Sequence, residues 1–313
     1  MCDFVEIKSF FAPAKGNSAV IALGVFDGVH AGHRAVLTTA AALAQQQNAA
    51  ALALTFIPHP RQVLAPDSAP PLLISPARRM ELLTAVPGIG GCGQINFSSR
   101  IAAWEPEEFF RHLLSLPQIK VKGICVGRNW LFGRRGSGNT IVLEKLCRQH
   151  NIAFAAVTEV EYENMTVSST AIRNFLAQGN IAAAKGMLGR PPELYGTVVH
   201  GMGVAGKELA APTANLELHY GIMPADGVYA GEVTVNGKLF RAVLNIGPAP
   251  TYGVSGRRIE IHLLDFGGDL YGREITVALN RRLRDIRKFN SPEDLKKQIA
   301  ADIAAARRGD QEV

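Results

Sequence analysis

An open parallel α/β sheet, followed by an antiparallel β-barrel with a terminal helix, is the architecture this 313-residue sequence predicts. Three observations predict it. Up to about residue 187, short apolar runs alternate with longer segments of helical period, the pattern of buried parallel strands and their covering helices. Beyond a Pro/Gly-rich junction, LGRPPEL at 188–194, β-branched segments follow one another with turn residues between them. The chain then closes on one amphipathic helix. The expected domains are residues 1–187 and 188–313, a length ample for two cores.

Taken in order, SAVIALGVF reads as a strand followed by the helix HRAVLTTAAALAQQQ, then AALALTF by PARRMELLTAV, and VKGICVG by TIVLEKLCRQHN. In open sheets of this kind ligands bind outside the carboxyl ends of the strands. The unusual residues follow those ends: Asp27 to His33, Pro58 to Arg61 and Arg128 to Asn139. In the second half, YGTVVHG, GVYAGEVTV, KLFRAVLNIG, RIEIHLLDF and REITVAL read as strands, and Asn236-Gly237 is a two-residue hairpin signal. The last helix carries Ser291 as N-cap, Pro292 at its first position, and an apolar stripe at Leu295, Ile299 and Ile303.

The net charge of +6 favours anionic partners, but the cations are scattered and form no basic block interleaved with aromatics. A phosphorylated small molecule fits this better than a nucleic acid. The four cysteines show neither C-x-x-C pairing nor a His-rich neighbourhood, so neither zinc nor disulfides are indicated and a reducing cytoplasm is expected. The start MCDFVEIKSFF lacks a basic n-region, and no apolar run is long enough for a bilayer.

The chemistry concentrates at two helix starts. His30, His33 and Arg34 crowd the first, where the backbone dipole is already positive; Arg173 sits in the first turn of VSSTAIRNFLAQG, behind the caps Ser168, Ser169 and Thr170. A bound polyanion would complete both starts through N–H groups, hydroxyls and side-chain charge. Surface histidines and ordinary caps are the alternative reading of either motif alone. GVFDGVHAGH resembles the phosphate-binding signature of the HxGH nucleotidyltransferases. Together with TFIPHP, VGRNWLFG and VSSTAIR it resembles the adenylyltransferase module of bacterial bifunctional riboflavin kinase/FAD synthetases.

That resemblance implies a Rossmann-like nucleotidyltransferase domain that transfers AMP from ATP to FMN, giving FAD and pyrophosphate. It implies His30 and His33 facing the triphosphate, and Ser169, Thr170 and Arg173 holding the β- and γ-phosphates. Gly24 and Gly28 would let the backbone approach the nucleotide, with Phe26 beside a planar ring. Asp27 reads equally as a turn residue. His59, between two prolines, is a contact or a structural histidine. Asn129 and Trp130 stand where the family commonly has Asp and Phe, and Arg134 and Arg135 read as a solvated loop.

The β-rich half has no P-loop and no protein-kinase motif set. It has HGMGVAGKELAAPTANLEL, whose Gly203 and Gly206 precede Thr213 and Asn215. With GVYAG, NIGPAPTYG, IEIHLLDF and GDLYG, this stretch closely resembles the riboflavin kinase domain. The resemblance implies ATP as co-substrate, with Thr213 and Asn215 beside Mg2+ and its phosphates. Period-two counting puts Ile259, Ile261 and Leu263 on one face and Glu260 and His262 on the other. An acid there is commonly just solvated; the resemblance makes Glu260 the base for the ribityl hydroxyl of riboflavin. Lys207, Ala210-Ala211, Ala249 and Ile286 depart from the family, so a weaker kinase is expected. The expected partners are thus riboflavin, FMN, FAD and ATP, without nucleic acid or membrane. A chain with one active module, or a non-catalytic flavin-binding regulator, are the competing readings.

Overall fold

Strands buried on both faces build the first sheet. The computed structural model describes residues 4–10, 17–199, 214–248 and 256–308. The chain forms two compact units, Met1–Pro70 with Pro76–Ser168, and Pro71–Ser75 with Ser169–Val313.

The first unit contains β1 (Val5–Phe10), β2 (Ser18–Leu23), α1 (Ala31–Gln46), β3 (Ala50–Ile57), α2 (Pro60–Leu64), α3 (Pro76–Thr84), β4 (Ile89–Asn96), α4 (Ser99–Ala102), α5 (Pro106–Leu114), β5 (Lys120–Gly127), α6 (Thr140–Gln149), β6 (Ala153–Val157) and a small ribbon, β7 (Glu161–Tyr162) with β8 (Met165–Thr166). The sheet order is β1-β4-β3-β2-β5-β6, parallel except for the edge strand β1. Alternate residues serve the two faces. Ile21, Leu23, Ile124 and Val126 join Phe109, Leu113, Leu143 and Cys147 in one core, while Cys125 turns the other way and bonds its thiol to the Val36 carbonyl of α1 at 3.4 Å. The succession of strands reverses direction between β2 and β5, so the loops after these two strands flank the crevice where doubly wound sheets bind ligands.

The second unit contains α7 (Ser169–Ala177), α8 (Ile181–Leu188), β9 (Glu193–Val199), β10 (Ala214–Tyr220), β11 (Gly227–Val235), β12 (Lys238–Pro248), β13 (Arg257–Leu263), β14 (Glu274–Arg284) and α9 (Pro292–Arg308). The six strands close into a barrel in the order β10-β13-β12-β11-β14-β9. Ile259, Ile261, Leu244, Val277 and Leu279 fill its interior. Asn236 and Gly237 turn between β11 and β12 with φ of 51° and 77°, and Val235 pairs with Lys238, as a primed two-residue turn requires. Ser291 Oγ accepts from the Asp294 N–H at 3.1 Å, the cap expected for α9.

Besides the two-residue ribbon strands β7 and β8, three strands of the main sheet escape the sequence pattern. β1 is a short antiparallel edge, β4 (IGGCGQIN) is glycine-rich, and β6 (AFAAV) is mostly alanine, so none carries a strong β-branched signal. β10 is the sixth barrel strand, and its polar alternation hides it beside PTAN. α7 and α8 pack in the unit that holds the barrel, so the compact units divide after Ser168, whereas the sequence pattern changes at 187/188.

Candidate active sites

The loop that leaves β2 holds the first constellation. Phe26, Gly28 and Val29 all take positive φ (52°, 89° and 43°), a conformation that needs glycine at one position and costs strain at the other two. Gly24 is required for a different reason: a Cβ there would lie 2.7 Å from the Phe26 ring, which folds back over it. Phe26 is only 1% exposed and meets His33 edge-on at 5.3 Å. Its ring therefore shapes the loop from inside, where the sequence suggested a ring beside the nucleotide.

His30 is the N-cap of α1. Its Nδ1 accepts from the His33 N–H at 3.3 Å, which requires that nitrogen to be unprotonated. The His30 and His33 rings stack at 3.6 Å. Burial, then the stacked His30 imidazole, whose protonation and that of His33 oppose each other, and then the Arg79 charge hold His33 well below the ordinary histidine value. His30 caps through a bare nitrogen and burial opposes a proton on His33, so neither imidazole sets a charge against the helix dipole; Arg34 keeps its charge in the first turn, with Nη1 3.5 Å from the Val29 carbonyl. Asp27, read as a possible turn residue, is buried and lies 3.9 Å from the equally buried Arg79.

The neighbouring loops are more conventional. His59 caps α2, its Nδ1 accepting from Arg61 N–H at 3.1 Å while its own N–H donates to Gln62 Oε1, so its capping role is structural. Asn129 is exposed and donates to Glu159. Arg134 is exposed and lies 3.5 Å from Glu105. In the second unit Ser169 opens α7, Thr170 is exposed, and Arg173 donates from Nε to the Pro71 carbonyl at 2.9 Å. Cys92, Cys125 and Cys147 are buried thiols, and burial pushes Cys125 and Cys147 up to about 12.

The second constellation lies on the outer face of the barrel. Glu260 on β13 pairs in register with Asn215 on β10 and with Asn245 on β12, giving an Asn–Glu–Asn row across three adjacent strands. Asn245 Nδ2 donates to Glu260 Oε2 at 3.2 Å, and Arg258 lies 3.4 Å from Oε1. This face is not simply solvated. α9 roofs it, enclosing a cavity of about 350 Å³ with Glu260, Asn245 and His262 on the floor and Leu295, Ile299 and Ile303 above. Phe289 and Ile286 form part of its wall, and Ile286 rests over Gly247. The apolar stripe of α9 thus lines an open cavity and leaves room for a ligand. Asp302, also on α9, receives three bonds of 2.8–3.1 Å from Arg284.

The Asn215 Oδ1 atom is buried without a hydrogen-bond partner. A neutral carbonyl oxygen in that condition suits a hard divalent cation. Among the described residues no group of three or more His, Cys, Asp and Glu gathers to hold a metal.

A family model described as FAD synthetase matches residues 12–171, and one described as riboflavin kinase matches 188–309. The bifunctional riboflavin kinase/FMN adenylyltransferase of Escherichia coli (strain K12) is 36% identical, covering 95% of this chain and 93% of its own. The chain belongs to this bifunctional family. The riboflavin kinase/FMN adenylyltransferase of Bacillus subtilis (strain 168) is 32% identical over 93% of the chain and 92% of its own length. A solved structure from Streptococcus pneumoniae, described as a macrolide-efflux protein, matches with a TM-score of 0.81 at 31% identity, covering 96% of both chains. Among the described residues of this riboflavin kinase/FMN adenylyltransferase family member, no helix is long and apolar enough to cross a membrane.

The fold supplies both chemistries' scaffolds, the open sheet for adenylyl transfer and the barrel for the kinase. Of the sites expected from sequence, Gly24, Phe26, Gly28, His30 and His33 gather at the β2–α1 loop and the first turn of α1, and Asn215 and Glu260 in one row. Ser169, Thr170 and Arg173 lie in the other compact unit from the loop. Gly203, Gly206, Lys207, Thr213, Ala210, Ala211 and Ala249 lie outside the described residues. Asn245 and Arg79 were missed. Asn245 had a legible signal, since it shares the outward parity of its strand; Arg79 is a lone cation on the inward stripe of α3, one turn before the buried Leu83.

Proposed function

We propose that residues 188–313 phosphorylate riboflavin at the barrel and that residues 1–187 adenylylate the resulting FMN at the β2–α1 loop. ATP is the co-substrate of both families, and the cytoplasm is the expected compartment. The observation that carries the reading is the Asn215–Glu260–Asn245 row, whose Glu260 and Asn245 lie on the floor of a largely apolar cavity. The size and lining of that cavity suit a planar ring system entering beneath α9. Glu260, oriented by Asn245, would accept the proton of the ribityl 5′-hydroxyl as that oxygen attacks the γ-phosphate. Asn215 Oδ1 and the Thr213 hydroxyl would hold Mg2+, which supplies charge neutralisation on the ATP phosphates. Gly203, Gly206 and Lys207 would line the phosphates.

At the other centre no covalent intermediate is needed. Positioning two anions and dispersing charge on the α-phosphate suffice. The neutral imidazoles of His30 and His33 would donate hydrogen bonds to the triphosphate without charging a helix start. Ser169, Thr170 and Arg173 would take the β- and γ-phosphates and the leaving pyrophosphate. His59 and Asn129 would stand near the acceptor.

The test is a chromatographic time course with riboflavin, ATP and Mg2+. FMN should rise and then give way to FAD. If neither flavin formed, catalysis would be refuted in favour of a regulator; if FMN alone or FAD alone (from supplied FMN) formed, only one module would be active.

A further inference from the structure

The β2–α1 loop is held in a conformation that its own sequence does not favour. Phe26 and the β-branched Val29 both take positive φ, and such residues persist only where the surroundings over-determine them. Those surroundings converge on one side chain. Arg79, from α3, sends Nη1 to the Val25 carbonyl at 3.1 Å, to the Phe56 carbonyl at 3.1 Å and to Thr55 Oγ1 at 3.3 Å. Its Nη2 lies 3.9 Å from Asp27 Oδ1. Thr55 Oγ1 itself donates to the Val25 carbonyl at 2.7 Å. One planar cation therefore ties the end of β3 to the start of the loop that carries His30 and His33.

A guanidinium only 1% exposed, on a stripe where an apolar residue would pack, is an expensive way to build a core. Its placement makes sense as a fixture of the loop. We propose that Arg79 is a positioning residue for adenylyl transfer: through Val25, Thr55, Phe56 and Asp27 it sets the loop backbone and so the direction of both imidazoles. This rests on the reading of that loop as the adenylyl-transfer centre. The groups facing His33 are His30, stacked on it, Phe26, edge-on, and Arg79 from α3, with Asp27 beside Arg79. Arg79 also acts on His33 electrostatically, as one of the charges that keep it unprotonated.

Two substitutions separate geometry from charge. Arg79→Lys keeps the cation and loses the fork of donors; Arg79→Met keeps the stem and loses both. Each full-length variant is assayed for FAD from FMN and ATP between pH 5.5 and 8.5, and for FMN from riboflavin as an internal control. Arg79→Lys should lower kcat for FAD formation by about 10- to 100-fold with the parent's pH profile, because misaiming a reacting group is costly even when small. Arg79→Met should lose at least as much and move the acid limb upward, since removing a nearby cation lets His33 protonate more easily. Riboflavin phosphorylation should stay within about twofold in both.

FAD formation within about twofold of the parent in either variant would overturn the proposal. So would a loss shared equally by both activities with the acid limb unmoved, which marks a purely structural residue. A parent that phosphorylates riboflavin but makes no FAD from supplied FMN would instead overturn the reading of the site itself.

Discussion

His33 is a histidine whose protonation the fold opposes: desolvation, the adjacent His30 and the Arg79 charge all disfavour the imidazolium. The unfolded chain takes up this proton near 6.5 and the folded protein only at lower pH, so as pH falls below about 6.5 the unfolded state gains protons that the folded state refuses. The unfolding free energy of the adenylyltransferase unit should therefore fall on acidification, by at most about 1.4 kcal/mol per pH unit from this group, and its thermal midpoint with it. His33→Gln should flatten that slope in calorimetry run from pH 7.5 to 5.0. Glu260 makes the complementary case for chemistry. Glu260→Gln keeps the shape beside Asn245 and removes the base, so riboflavin phosphorylation should fall by about 10²- to 10⁴-fold while adenylylation of supplied FMN continues. A loss of less than severalfold would mean that another group takes the proton.

At the scale of elements, α9 decides what the outer barrel face becomes. Without it, Glu260 and His262 would be what period-two counting suggests, polar residues turned to water. With it they floor a cavity, and the helix is held by a pair that is almost dry: the Arg284 side chain is 20% exposed and Asp302 7%. Arg281 adds a bond to the Ala305 carbonyl at 2.6 Å near the helix end, where a cation also suits the dipole. Asp302→Ala should leave Arg284 without its carboxylate. It should cost about 3 kcal/mol in urea unfolding of the barrel and raise KM for riboflavin more than it lowers kcat. Equal unfolding midpoints would show that the pair does not anchor the helix. The hairpin at Asn236-Gly237, the Ser291 cap and the parity of Glu260 were readable locally because each depends on residues within a few positions. β4 and β6 were not, because glycine and alanine carry little strand preference of their own and become strands here by pairing with neighbours distant in the chain, β4 between β1 and β3 and β6 along β5.

For the whole molecule, two catalytic centres on one chain make a simple complementation test. Arg79→Met should accumulate FMN from riboflavin, and Glu260→Gln should make FAD only from supplied FMN. An equimolar mixture of the two variants should restore riboflavin-to-FAD conversion through released FMN, read by the same chromatography. Failure of the mixture with both single activities intact would mean that FMN does not leave one protein to enter another. The order of elements, the two domain types and the resemblance of both halves to flavin enzymes follow from periodicity and motif spacing, which are properties of contiguous residues. The seat of Arg79, more than fifty positions from Val25, depends on α3 packing beneath the loop. The same is true of the neutrality of His33, the orphaned oxygen of Asn215 and the cavity under α9. Burial, dielectric and cross-strand register belong to groups brought together from distant parts of the chain, so only the folded structure decides them.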